Sequence, residues 1–215
     1  VPLPWNWHTY FGPPPRSGLL KQQPGYEAAP IHGEKHDLNS TNFVIFLNGS
    51  YGVGKTSTLN HVGDLMAEAT KPFSLMDVDW FHRSWPPSHH DPSNVLIEAA
   101  NMAAVWRNYK STGPRQLIVS GVISSPQDRT RYEAAFELPV RPVRLVAHEQ
   151  EIERRLHRRY TPEQASSLSW HLDRYRDLNA RLAEADLDEV IIETSECGPR
   201  DVAAKVLTHF SLTQL

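Results

Sequence analysis

The chain has 215 residues, with 22 Lys+Arg against 25 Asp+Glu and a formal net charge of −3, and 40% of it is hydrophobic. This composition describes a folded domain rather than a disordered chain, and the balanced charge excludes a broad basic field for nucleic acid or an anionic membrane. No apolar run reaches the roughly 18 residues that a membrane-spanning helix needs, and the single cysteine, Cys197, excludes an internal disulfide and a thiolate zinc site, pointing to a reducing, cytoplasmic setting.

Residues 1–41 read as a proline-rich arm. Seven of the 17 prolines (Pro2, Pro4, Pro13, Pro14, Pro15, Pro24 and Pro30) fall there, without helical or strand periodicity and without the basic and apolar regions of a signal peptide. Trp5, Trp7, Tyr10 and Phe11 are apolar enough to staple this arm onto a domain over residues 42–215, although Pro13–Pro15 could instead be a polyproline ligand. Asn39-Ser40-Thr41 matches a glycosylation sequon that has no use in a chain of intracellular type.

Regular patterning begins near residue 42. The apolar run FVIFLN (43–48) predicts a buried parallel strand, and the following segment has helical spacing through Leu59, Val62, Leu65 and Met66. Further strands are predicted at FSLMDVD (73–79), QLIVSG (116–121), VRLVAH (143–148) and EVIIETS (189–195). Between them lie helices: one over 93–110 with Leu96, Ala99, Ala103 and Trp106 on one face, one opened by Ser125 as N-cap with Pro126 and Asp128, a basic one through EIERRLHRRY, one opened by a Thr161–Gln164 capping box, and a closing RDVAAKVLTHF. Five strands alternating with helices predict an α/β fold, a parallel sheet covered on both faces.

Gly49-Ser50-Tyr51-Gly52-Val53-Gly54-Lys55-Thr56 fits GxxxxGK[ST] at every fixed position and stands directly between a strand and a helix. Gly49, Tyr51, Gly52, Val53 and Gly54 can curl their backbone N–H groups around phosphate oxygens. The helix N-terminus, reaching Ser57, adds its dipole. Lys55 can reach the β- and γ-phosphates of ATP, and Thr56 can ligate Mg²⁺. No DxxG or NKxD string is present, which excludes a GTPase, and the third strand ends in Ser120-Gly121 rather than in an acid.

The only strand ending in acids is the second. Alternation along it predicts Asp77 and Asp79 on one side at the carboxyl edge, where such sheets bind ligands. One carboxylate can hold Mg²⁺ while the other takes a proton from an attacking hydroxyl. Trp80 follows, placed either in the core or against an acceptor. Arg83 is available for an anionic group, and Arg107 is able to face the same pocket. His89-His90-Asp91 reads as a surface loop rather than a metal site, and Trp106 as core.

Together these residues resemble the small-molecule P-loop kinases of the nucleoside-monophosphate-kinase-like superfamily, such as the adenylylsulfate, shikimate and gluconate kinases. Asp77-Val78-Asp79 resembles their D-x-D element, Ser125-Pro126-x-Asp128-Arg129-x-Arg131 the segment after their third strand, and Arg155-Leu156-His157-Arg158-Arg159 the start of their mobile lid. The resemblance spans about residues 43–210. It implies a three-layer sandwich with a five-stranded parallel sheet of the P-loop NTPase type, strand order 2-3-1-4-5, and a short helical lid over about 155–180. It further implies Asp79 at the acceptor hydroxyl, Asp77 at the metal, Arg155 on the adenine and Arg159, four residues on, at the phosphates, with Cys197 a possible neighbour of the base. The expected catalytic set is Lys55, Asp79 and Arg159. The expected acceptor set is Asp79, Trp80, Arg83, Arg107 and Arg129. The expected activity moves the γ-phosphoryl of ATP onto a hydroxyl of a small molecule, with no nucleic-acid or membrane partner. Two alternatives stay open: a nucleotide kinase in which Arg83, Arg107 and Arg129 clamp an acceptor phosphate, and a regulatory ATPase without a small acceptor.

Overall fold

Five short apolar runs become five parallel strands in a computed structural model that describes residues 42–212. The proline-rich arm, with its aromatic staple and the Asn39 sequon, lies outside the described residues. Strand β1 (Val44–Asn48) is buried along its whole length. It is followed by α1 (Lys55–Glu68), β2 (Phe73–Asp77), a 3₁₀ turn over Val78–Trp80, α2 (Val95–Lys110), β3 (Gln116–Ser120) and α3 (Pro126–Phe136). The chain continues through β4 (Val140–Val146), α4 (Glu149–Arg159), a 3₁₀ turn over Pro162–Gln164, α5 (Ala165–Ala185), β5 (Val190–Glu193) and α6 (Pro199–His209). The sheet order is β2-β3-β1-β4-β5, all parallel, as expected for a P-loop NTPase.

Alternation along β1 sorts the core into two layers. Ile45 and Leu47 pack with Val62, Met66, Leu156 and Val206, from α1, α4 and α6. Val44 and Phe46 face the other way, onto Met102, Trp106, Tyr132 and Phe136 of α2 and α3. Each such side chain contributes about 1.5–3 kcal/mol on burial, so helices on both faces are what the continuous apolar strands require. Among the described residues no helix is long and apolar enough to cross a membrane.

Three local differences from expectation have physical causes. Strand β4 opens at Val140, three residues earlier than expected, because Pro142 is tolerated inside it. The Pro142 carbonyl accepts from Glu189 N at 2.8 Å, so its missing N–H faces β5, whose ladder begins one residue later at Val143↔Val190. Helix α2 buries Glu98, Met102 and Trp106, while Leu96 is 58% exposed; the apolar face is rotated because a glutamate, not a leucine, is turned inward. Finally, β2 stops at Asp77 instead of reaching Asp79. Asp77 Oδ1 accepts from Asp79 N at 3.1 Å, and this side-chain turn pulls the next three residues into the 3₁₀ turn.

The predicted caps form as expected. Ser125 Oγ accepts from Asp128 N at 3.2 Å, with Pro126 in the first turn of α3. Thr161 and Gln164 make a capping box that opens the short turn leading into α5. At the end of β1, Asn48 is fully buried; its Oδ1 accepts from Gly49 N and Ile123 N, both at 3.0 Å, and its Nδ2 donates to Ile123 O at 3.0 Å and to Asp188 Oδ1 at 2.8 Å. The carboxyl ends of β1, β3 and the approach to β5 are thereby tied at one point.

Candidate active site

The phosphate loop leaves β1 through Gly49, where an added Cβ would lie 2.6 Å from the Leu145 carbonyl oxygen, a distance no side chain accepts. Gly52 and Gly54 have φ of +77° and +97°, in the left-handed region that glycine adopts without strain. Gly54 is the N-cap of α1, and no side chain caps that helix. The first-turn amides therefore face the mouth of the loop as donors for an anion. Lys55 Nζ spans the loop, donating to Gly49 O at 2.7 Å and Ser50 O at 3.0 Å. Burial pushes its pKa down to about 8, against the opposing pull of Asp79 and Asp77 and with a smaller push from Arg159.

Thr56 follows at the mouth, and its Oγ1 donates to Asp77 Oδ2 at 2.8 Å. A hydroxyl and a carboxylate oxygen in contact are hard donors of the kind Mg²⁺ selects. The donor set therefore fits the ion that the phosphate-loop pattern implies. The other Asp77 oxygen holds Asp79 N, so Asp79 stands on the 3₁₀ turn beyond the strand, with its side chain exposed. The charge of Asp79 contributes to the raised pKa of Tyr51 and His82 and opposes the lowering at Lys55 and His171.

Arg155 and Arg159 lie one turn apart on α4. Arg155 Nε donates to Glu151 Oε1 at 2.6 Å. Its Nη1 donates to Val53 O at 3.2 Å and Thr194 Oγ1 at 3.0 Å, and its Nη2 to Thr194 O at 2.7 Å. Thr194, buried after β5, also donates to Val53 O at 3.1 Å. Arg155 thus brackets the phosphate loop to the loop that carries Cys197, and that cysteine accepts from Lys205 Nζ at 2.9 Å. The Arg159 guanidinium lies 5.5 Å from the Tyr160 ring centre, and its charge is felt at Lys55 and His171. The Tyr51 ring meets Trp170 at 5.4 Å and His171 at 4.9 Å, so an aromatic group from α5 rests on the phosphate loop.

After Asp79 the chain is held by its own neighbours. Arg83 Nε donates to Asp79 O at 2.7 Å, and its guanidinium lies 4.9 Å from the Trp80 ring centre. Trp80 is 61% exposed, which settles it as surface rather than core. Asn94 Nδ2 donates to His82 O and Ser84 O, both at 2.9 Å, and Asn101 Nδ2 to Phe81 O at 2.9 Å. Beneath them, buried Glu98 takes the Tyr132 hydroxyl on Oε1 at 2.7 Å and His82 Nδ1 on Oε2 at 3.1 Å.

Two predicted acceptor residues are not brought to this place. Arg107 lies in the last turn of α2, next to Trp106, whose Nε1 donates to Phe136 O at the far end of α3. Arg129 Nε donates to Glu133 Oε1 at 3.0 Å, and that carboxylate also accepts from Val140 N at the amino edge of the sheet. Asp91 is occupied in capping α2, its Oδ2 accepting from Leu96 N and Ile97 N. Among the described residues no group of three His, Cys, Asp or Glu could hold a metal. Glu98 and Thr194 were missed by sequence reasoning, since neither belongs to a motif; Tyr160 was passed over although it directly follows Arg159.

No protein-family model matches the chain, and no curated protein matches it in sequence. Among solved structures it is similar to the protein APE1195, at 16% identity and a TM-score of 0.57 over 82% of this chain and 98% of that one. It is also similar to the tunicamycin resistance protein of Deinococcus radiodurans, at 20% identity and a TM-score of 0.56 over 79% and 96% of the two chains. A sugar kinase from Janibacter is similar at 17% identity and a TM-score of 0.49 over 80% and 96%. The architecture is that of the P-loop NTPases, and the likenesses concern this fold.

Proposed function

We propose that the protein is a Mg²⁺-dependent kinase that moves the γ-phosphoryl group of ATP onto a hydroxyl of a small molecule. The observation that carries this reading is the contact of Thr56 with Asp77, with Asp79 standing exposed two residues beyond it and felt electrostatically by Lys55. Backbone N–H groups of the loop beyond Gly49, through Ser57, cradle the phosphates, and Lys55 is drawn from its loop carbonyls to the β- and γ-oxygens. Thr56 and Asp77 would hold Mg²⁺, which would supply charge neutralisation to the phosphates. Asp79 accepts the acceptor's hydroxyl proton on a carboxylate oxygen, while Trp80 and Arg83 border the acceptor.

Arg159 stabilises the charge that develops during transfer, and Arg155 keeps the base side of the nucleotide in register with the phosphate side. The end of α4, the turn after it and the start of α5 form the lid. The place of Arg107 in the last turn of α2 and the engagement of Arg129 with Glu133 favour this reading over a clamp on a nucleoside monophosphate. Asp79→Asn tests it. Calorimetry with a non-hydrolysable ATP analogue should give unchanged affinity, while phosphoryl transfer falls by about 10²–10⁴. Unchanged transfer would remove Asp79 from its role, and a wild-type protein that binds no ATP analogue would end the kinase reading.

A further inference from the structure

The chain exposes an indole where the reaction needs a binding surface. Trp80 directly follows Asp79, at the carboxyl edge of the sheet, and 61% of it is in contact with solvent. Exposing so large an apolar ring has a free-energy cost unless something covers it.

Nothing about its position is loose. The 3₁₀ turn that carries it closes on Phe81 N→Val78 O at 3.0 Å, and Val78 is packed so tightly on Gly121 that a Cβ there would meet Val78 Cγ2 at 2.6 Å. The carbonyls of Phe81 and His82 are taken by Asn101 and Asn94 of α2 and its approach. The Arg83 guanidinium lies over the indole, 4.9 Å from its centre. A rigid, preorganised aromatic surface is what stacking requires, because little ordering entropy remains to be lost on binding.

The charges beside it do not describe an anion site. Arg83 Nε is engaged with the Asp79 carbonyl, and Asp79 itself is an exposed carboxylate that disfavours an anion. Tyr51, packed on Trp170 and His171, has its hydroxyl pKa raised, first by burial and then by the charge of Asp79.

We propose that the acceptor is an uncharged, ring-bearing alcohol, of the chemical kind of an aryl glycoside or a nucleoside, whose flat face stacks on Trp80 while its hydroxyl meets Asp79. This rests on the kinase reading above and deepens it.

The test uses the full chain with its nucleotide site filled by a non-hydrolysable ATP analogue, and calorimetry with four probes: 4-nitrophenyl β-glucoside, methyl β-glucoside, gluconate and uridine monophosphate. Binding of the analogue tests the kinase reading separately and also verifies that each variant is folded. The nitrophenyl glucoside should bind about tenfold more tightly than the other three, a difference of ~1.4 kcal/mol. Trp80→Ala should remove that preference while the analogue binds as before, and Trp80→Phe should keep most of it. Equal binding of the two glucosides, tighter binding of gluconate or the monophosphate, or a preference that survives in Trp80→Ala would each overturn the proposal.

Discussion

Lys55 illustrates how one residue is set for its task by its surroundings. Burial in the phosphate loop lowers its pKa from 10.5 to about 8. The sign follows from the charged form being the disfavoured one: between about 8 and 10.5 the native lysine is neutral while the unfolded chain's is protonated. Folding stability therefore gains from this group as pH rises through that window, and anion binding loses. Affinity for a non-hydrolysable ATP analogue should fall by up to about tenfold per pH unit above pH 8, measured by calorimetry from pH 7 to 9.5. Lys55→Arg, always charged, should flatten the slope. The lysine, its glycines and Thr56 were legible in the sequence because their chemistry is local: eight consecutive residues between a strand and a helix. Asp79 was legible as a candidate but misplaced on a strand, since Asp77-Val78-Asp79 alternates like one. What overrides alternation is a single hydrogen bond from Asp79 N to Asp77 Oδ1.

At the scale of elements, α2, α3 and the segment after β2 are joined through Glu98. Its two oxygens hold Tyr132 of α3 and His82 of the loop. Nothing local in the sequence announces this. A glutamate in the first turn of a helix reads as a macrodipole residue facing solvent, and only the packing of three distant segments turns it inward. The same limit applies to Arg129, whose direction is decided by Glu133 one turn along α3. The strands, by contrast, were legible because a parallel strand covered on both faces is apolar throughout. His82 has its pKa raised, chiefly by its hydrogen bond to Glu98 and against the effect of burial. Its contribution to stability is therefore fully present below its ordinary value near 6.5 and is lost as pH rises through the raised native value. Thermal unfolding of wild type and His82→Gln should differ most at pH 6, with the wild type more stable, and the gap should shrink by pH 8.5. A gap that widens with pH would show that His82 is not held by the carboxylate as an imidazolium.

The described residues, 42–212, form one sheet with a core layer on each face. Leu156, fully buried in α4, lies beneath Gly52, where an added Cβ would come within 3.3 Å of its Cγ. Leu156→Ala should cost about 2–5 kcal/mol, read from the urea midpoint. This variant also gives access to the knot at Asn48. Asn-Gly is the dipeptide in which a side-chain amide is most readily lost, because the unhindered glycine nitrogen can attack the asparagine carbonyl and close a succinimide. In the native protein that nitrogen is donated to the Asn48 oxygen, and the amide is locked by three further hydrogen bonds in the centre of the sheet. Hydrolysis at Asn48 must then wait for the sheet to open, so its rate reports the population of opened chains. Deamidation followed by peptide mass spectrometry should be slow in wild type, faster in Leu156→Ala, and proportional to the unfolded fraction across a urea series. The turn that would bind phosphate thus also sets the protein's chemical lifetime: each opening of the sheet risks placing an extra negative charge at Asn48, directly before that turn.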